Sequence, residues 1–198
     1  MSSIAVTGSA TGTGVISLLA PVTNTNRTLT LPDATGTVLT SATTTGFPAG
    51  SVVQVVRFQT GAVATGTTTI PLDDTIPQIT EGTQFLTLAI TPKSVSNILV
   101  ITVSLQLDKN NSNTFMAALF QDSNANALAG QFNGAFPSGT SLPMAFTHSM
   151  TAGTTSSTTF TVRAGSDGAG TLTLNGRGGG RIFGGVSVSS IIIFEVAA

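Results

Sequence analysis

Few side chains in this sequence could do covalent chemistry. The single histidine, His148, has a serine beside it, Ser149, in a segment of alternating character. Neighbours on a strand point to opposite faces, so this pair cannot act as nucleophile and base from one strand. Asp73 and Asp74 would diverge for the same reason, whereas glycoside hydrolysis needs two carboxylates set about 5–10 Å apart. Asp122-Ser123-Asn124-Ala125-Asn126 copies the first half of a calcium loop, but Ala127 stands where the sharp turn needs glycine and Asn133 where it needs glutamate. There is no cysteine, which removes thiolate nucleophiles, thiolate metal sites and disulfides together. The expectation is a protein that is not an enzyme and needs no cofactor or metal.

The remaining candidate is the run Asn175-Gly176-Arg177-Gly178-Gly179-Gly180-Arg181-Ile182-Phe183-Gly184-Gly185. A dinucleotide-type glycine pattern would need a third glycine at Arg181, and the sequence has no Gly-Lys-Ser/Thr for a phosphate loop. One Arg-Gly-Gly in a chain of net charge −1 also lacks the electrostatic footprint of a nucleic-acid binder. The run therefore reads as a glycine-rich loop, opened by a tight turn at Asn175-Gly176 because both residues tolerate positive φ. Arg177 and Arg181 remain as contacts to a partner or as residues facing a symmetry axis.

The elements that would position these residues are strands. Thr and Ser exceed a quarter of the 198 residues, and charged residues are only 8%, which disfavours helices and leaves a surface poor in ion pairs. In Leu99–Leu107 every odd position is apolar, the period of a strand with one face in a core. The same period recurs at Leu86-Leu88-Ile90, Phe160-Val162-Ala164, Leu172-Leu174 and Val186-Val188. Turn chemistry separates these runs, as at Asp108-Lys109-Asn110-Asn111 and Ser166-Asp167-Gly168. The fold class predicted is all-β, a jelly-roll-like β-sandwich of roughly eight strands over residues 47–198.

Residues 1–46 differ, with short apolar pairs between Thr, Gly and Pro that bury too little per chain to offset backbone entropy of about 1–2 kcal/mol per residue. They are expected to fold as an intertwined stem around copies of themselves, with a linker over about 40–50. Near the C-terminus both faces of one strand are apolar, Ile192-Phe194-Val196 and Ile191-Ile193. Ile191 and Ile193 are the candidate subunit interface. The exposed contacts are expected on loops, at Asp108, Asn110 and Asn111, at Asp122, Asn124 and Asn126, and at Arg177 and Arg181.

The run Leu18–Leu39, containing Asn26-Arg27-Thr28-Leu29-Thr30-Leu31-Pro32-Asp33-Ala34-Thr35-Gly36-Thr37-Val38-Leu39, resembles segments in the stems of tailed-bacteriophage fibre proteins. The head is similar to their C-terminal β domains at Gly50–Val56, at Ile90–Val100 and at the ending Ile193-Phe194-Glu195-Val196-Ala197-Ala198. The resemblance implies a homotrimeric virion structural protein, on the tail or capsid surface, whose stem grips another virion protein and whose head contacts a host-surface glycan or protein. It carries over no catalytic residue. A capsid decoration protein that stabilises the shell without a receptor is the alternative, and a polysaccharide depolymerase a more distant one. The N-terminus lacks the basic start and apolar core of a signal peptide, and no apolar run is long enough to cross a membrane, so synthesis in the host cytoplasm without membrane insertion is expected.

Overall fold

The computed structural model describes residues 11–13, 26, 28 and 47–198. The chain divides into two units, Met1–Thr37 and Val38–Ala198. The stem expected over residues 1–46 lies, those few positions apart, outside the described residues. Everything below concerns the second unit.

Its strands are β1 (Val52–Thr60), β2 (Ala64–Gly66), β3 (Thr83–Ile90), β4 (Ile98–Lys109), β5 (Phe115–Gln121) and β6 (Ala129–Asn133), followed by β7 (Ser141–Thr151), β8 (Thr158–Ser166), β9 (Leu172–Leu174), β10 (Gly176–Arg177), β11 (Gly180–Arg181) and β12 (Ser189–Val196). One sheet runs β1-β12-β4-β7, with the short β9 and β2 continuing beside β4 past the start of β12. The other runs β3-β8-β5-β6. All these pairings are antiparallel, and chain-distant strands sit side by side in both sheets. Two four-stranded sheets in this order make a jelly roll.

Alternation in the sequence becomes burial in the core. Leu99, Ile101, Val103, Leu105 and Leu107 of β4 are at most 1% exposed, while the residues between them up to Gln106 face outward. They meet Leu86, Phe115, Leu119, Phe160 and Val162 from the second sheet. The strand runs on through Asp108 and Lys109, so the turn expected there begins only at Asn110.

Strand β5 does not alternate because both its faces are covered. Phe115, Ala117 and Leu119 enter the core, and Met116, Ala118 and Phe120 are at most 6% exposed on the other side. A strap of residues 67–82 lies against that outer face. Ile70 N donates to the Ser166 carbonyl at 3.1 Å, and Arg163 donates to the Glu81 and Gly82 carbonyls at 2.8 Å. The strap comes so near that a Cβ at Gly165 would lie 2.6 Å from the Thr68 carbonyl oxygen.

The assignment of Ile191 and Ile193 to a subunit interface is corrected. Both are 0% exposed and face the sandwich interior, opposite Val103 and Ile101 of β4. Ile192, Phe194 and Val196 take the outer face instead. The physical reason is Glu195, which shares the inner face: it is 0% exposed yet fully satisfied, so the face that carries a charge is the buried one. Its Oε1 accepts from Lys93 N at 2.7 Å, Ser94 N at 3.2 Å and Asn97 Nδ2 at 2.7 Å, and Oε2 accepts from Gln54 Nε2.

Candidate functional site

Strand direction sorts the loops into two opposite ends. Residues 47–51 enter at the end where Val52, Val196 and Ile98 pair, which also carries the 91–97, 122–128 and 152–157 connections. The 110–114, 134–140, 167–171 and 175–181 segments gather at the other. The eight loop candidates are thus split, with Asp122, Asn124 and Asn126 at the first end and Asp108, Asn110, Asn111, Arg177 and Arg181 at the second.

Asp108 is corrected as a contact residue. It is 2% exposed, and its carboxylate accepts from Ser141 Oγ at 2.8 Å and from Gly178 N at 2.9 Å. It ties β4 to β7 and to the glycine-rich hairpin. Asn110 Oδ1 accepts from Thr171 N at 2.7 Å, and Asn111 Nδ2 donates to the Ala169 carbonyl at 2.7 Å, so both amides hold the neighbouring loop. Asp122, at φ 51°, accepts from Thr158 Oγ1 and Thr159 N at 2.8 and 2.7 Å, closing the turn from β5 to β6. Asn126 Oδ1 accepts from Gln78 Nε2 at 3.0 Å. Among the described residues, Asn124, Arg177 and Arg181 are the loop candidates whose side chains make no hydrogen bond.

The glycine-rich run is a shaped hairpin. Its root is Asn175, 0% exposed and at φ 56°, which donates from Nδ2 to the Thr60 and Ala62 carbonyls at 2.8 and 3.1 Å. Its Oδ1 accepts from Ser189 Oγ at 2.7 Å, and that hydroxyl in turn accepts from Gln106 N. Gly176 pairs with Arg181 and Arg177 with Gly180. Directly opposed residues share a face of a ribbon, so the two arginines leave on opposite faces. Arg177 reaches toward Gly139, while the Arg181 stem lies beside Gly185.

Lys109 sits beneath this end, 0% exposed, its ammonium donating to the Asn113 carbonyl and lying 5.5 and 6.0 Å from the ring centres of Phe115 and Phe136. Burial pushes it below the ordinary lysine value, against the attraction of Asp167. His148 is half-buried on β7 opposite Ile101, and Ser149 points to the other face. Among the described residues no three histidine, aspartate or glutamate side chains cluster as metal ligands.

What the sequence reading missed is apolar. On the outer face of the first sheet, Val55, Phe194 and Val100 form one cross-strand row, and Arg57, Ile192 and Thr102 the next. Val55 is 49% exposed, and Arg57 on β1 places a charge on this face. Elsewhere Leu72 and Ile76 on the strap, Phe132 on β6 and Phe183 and Val186 after the hairpin are all more than half exposed. For Leu72, Ile76, Phe183 and Val186 the signal in the sequence is an apolar residue inside a Pro- or Gly-rich connection.

No protein-family model matches the chain, and no curated protein matches it in sequence. Among solved structures, Eiger TNF from S. frugiperda is similar with a TM-score of 0.43 and 10% identity over 72% of this chain and 93% of that one. The infectious bursal disease virus Gx strain gives 0.35 and 13% over 75% of this chain, and the VP2 subviral particle of that virus 0.33 and 13%. The matched region spans 38 and 39% of those two virus chains. The jelly-roll assignment stands on the strand order itself.

Proposed function

We propose that this chain is a non-enzymatic structural protein of a phage virion, a homotrimeric fibre or spike in which residues 1–46 attach to the particle and residues 47–198 form the head. The sequence resemblance of residues 18–39 to fibre stems supports the attachment role. The observation that carries the assembly is the outer face of β1, β12 and β4. A contiguous row of Val55, Phe194 and Val100, extended by Ile192, Val196 and Ile98, lines this face, Val55 about half exposed and the others partly buried. Apolar patches of this kind on soluble proteins mark interaction sites, and a chain with 8% charged residues has little else to keep sheets apart.

In this reading the loops at the end opposite residues 47–51 present Arg177 to the host surface, as a weak contact multiplied by three copies. Sedimentation equilibrium of the full chain tests the assembly, and a clean monomer at micromolar concentration would overturn it. Gold-labelled antibody on intact particles tests the position. Label spread across the shell and absent from the tail would turn the reading to a capsid fibre or decoration protein.

A further inference from the structure

Two exposed surfaces remain outside the sheet face, one acidic and concave, the other basic and convex. They lie at opposite lateral edges of the sandwich, since β6 stands over β7 at one edge and β3 over β1 at the other.

At the β6 edge, the strap and β6 enclose a cleft of about 210 Å³ lined by Ile70, Leu72, Met116 and Phe132, with Asp73 and Thr75 among its walls. An adjoining cleft adds Asp74 and Leu128. Asp73 accepts from Thr75 N and Oγ1 at 2.8 and 2.5 Å, and these bonds hold its carboxyl below the usual range. A cavity of roughly 150 Å³ is enough to hold a benzene ring, so the cleft has room for one aromatic side chain.

Beside the turn that leaves β1, the chain from Arg181 to Val188 forms the convex surface. Phe183 and Val186 are each 78% exposed. Phe183 is at φ 48°, a left-handed conformation that aromatic residues avoid. The loop around it is held in place: a Cβ on Gly61 would overlap the Gly185 carbonyl oxygen, and Val186 N donates to the Phe183 carbonyl at 3.2 Å. The backbone therefore holds an aromatic ring outward, in a strained conformation, with Arg181 beside it and, among the described residues, no carboxylate paired to that arginine.

We propose that these surfaces join successive copies of the chain: Phe183 of one copy fills the cleft of the next, with Arg181 facing Asp73 and Asp74. The charges are complementary, the ring matches the cleft in size, and the two sites stand too far apart around the sandwich to meet within one chain. A contact of this heterologous kind closes a three-membered ring where each copy is turned by a third of a revolution from the last. It deepens the homotrimer reading and rests on it.

The chain has no Trp and no Tyr, so Phe183→Trp makes the knob its own fluorescent probe. Emission is expected to be blue-shifted in the assembled protein and to move to longer wavelength on dilution into monomer. Arg181→Glu, and separately Asp73→Lys with Asp74→Lys, are expected to weaken association at least ~10-fold, as loss of a central interface anchor does. All three substitutions in one chain should restore it. Solvent-like emission in an assembled protein, or charge reversals that leave the mass unchanged, would overturn the knob-and-cleft contact while the trimer stands. A monomeric wild-type chain would overturn both.

Discussion

Asn97 donates a hydrogen bond to the buried carboxylate of Glu195 at 2.7 Å, across 98 positions of sequence. Through that carboxylate the start of β4, the 91–97 connection, Gln54 of β1 and the C-terminal strand meet at one point. The segments Gly50–Val56, Ile90–Val100 and Ile193–Ala198 converge here. Glu195→Gln replaces an acceptor by a donor opposite these N–H groups, and Glu195→Ala takes the acceptor from Lys93 N, Ser94 N and Asn97 Nδ2, while Gln54 Nε2 keeps its bond to the Thr91 carbonyl. Each unsatisfied buried group costs about 1–3 kcal/mol, so both variants should lower the urea midpoint, Ala more than Gln. A Glu195→Ala midpoint equal to wild type would show that the site is not a structural lock.

Asn175 makes a second such junction, and here the backbone adds to the cost. Asn175→Gly keeps the φ of 56° accessible but loses the bonds to Thr60, Ala62 and Ser189, whereas Asn175→Ala loses the bonds and adds left-handed strain. The expected order of stability is wild type, then Gly, then Ala, the last two separated by about 1 kcal/mol. Tryptic cleavage after Arg177, read by mass spectrometry, should accelerate in the same order as the hairpin loosens.

These two residues also show what the sequence could and could not disclose. Strands such as β4 were legible because one face is buried and the other is not, which writes itself as alternation. Strand β5 carries no alternation, since the strap covers the face that would otherwise be polar. The inner face of β12 could not be read, because Ile191 and Ile193 share it with a glutamate whose partners are remote in sequence. Four of the loop candidates hold neighbouring loops for a related reason. Asp108, Asn110, Asn111 and Asp122 bond backbone groups 37 to 70 positions away, and such remote partners leave no local pattern in the sequence. Phe183 and the strap cleft were illegible because a lone aromatic in a glycine-rich run gives no period to follow.

Lys109 gives a pH signature. Its folded-state pKa is lowered, chiefly by burial, so between that value and the unfolded value of about 10.4 the unfolded chain binds more protons than the folded one. Stability contributed by this group therefore rises with pH through that window, and the penalty is fully present below it. Lys109→Met keeps the apolar length between Phe115 and Phe136 without the charge. Its stability relative to wild type should be greatest near neutral pH and shrink as pH approaches 10, measured by urea unfolding at each pH. A difference that is flat or grows with pH would contradict the sign.

Ile193 and Phe194 separate the inside of the sandwich from the proposed interface. They are adjacent on β12 but face opposite ways, Ile193 at 0% exposure toward the core and Phe194 onto the open apolar face. An aspartate at 193 would place a charge among Ile101, Leu99 and the second sheet with no partner, a cost well above ~4 kcal/mol, enough to unfold a domain of ordinary stability. An aspartate at 194 meets solvent in a monomer and costs folding little, but it sets three like charges against an apolar neighbour if the face is an interface. Ile193→Asp is therefore expected to yield insoluble or unfolded protein, and Phe194→Asp a soluble chain with native far-UV circular dichroism and monomeric mass. A Phe194→Asp protein that keeps the wild-type oligomeric mass would remove this face from the assembly and leave the edge contact of Phe183 to account for it.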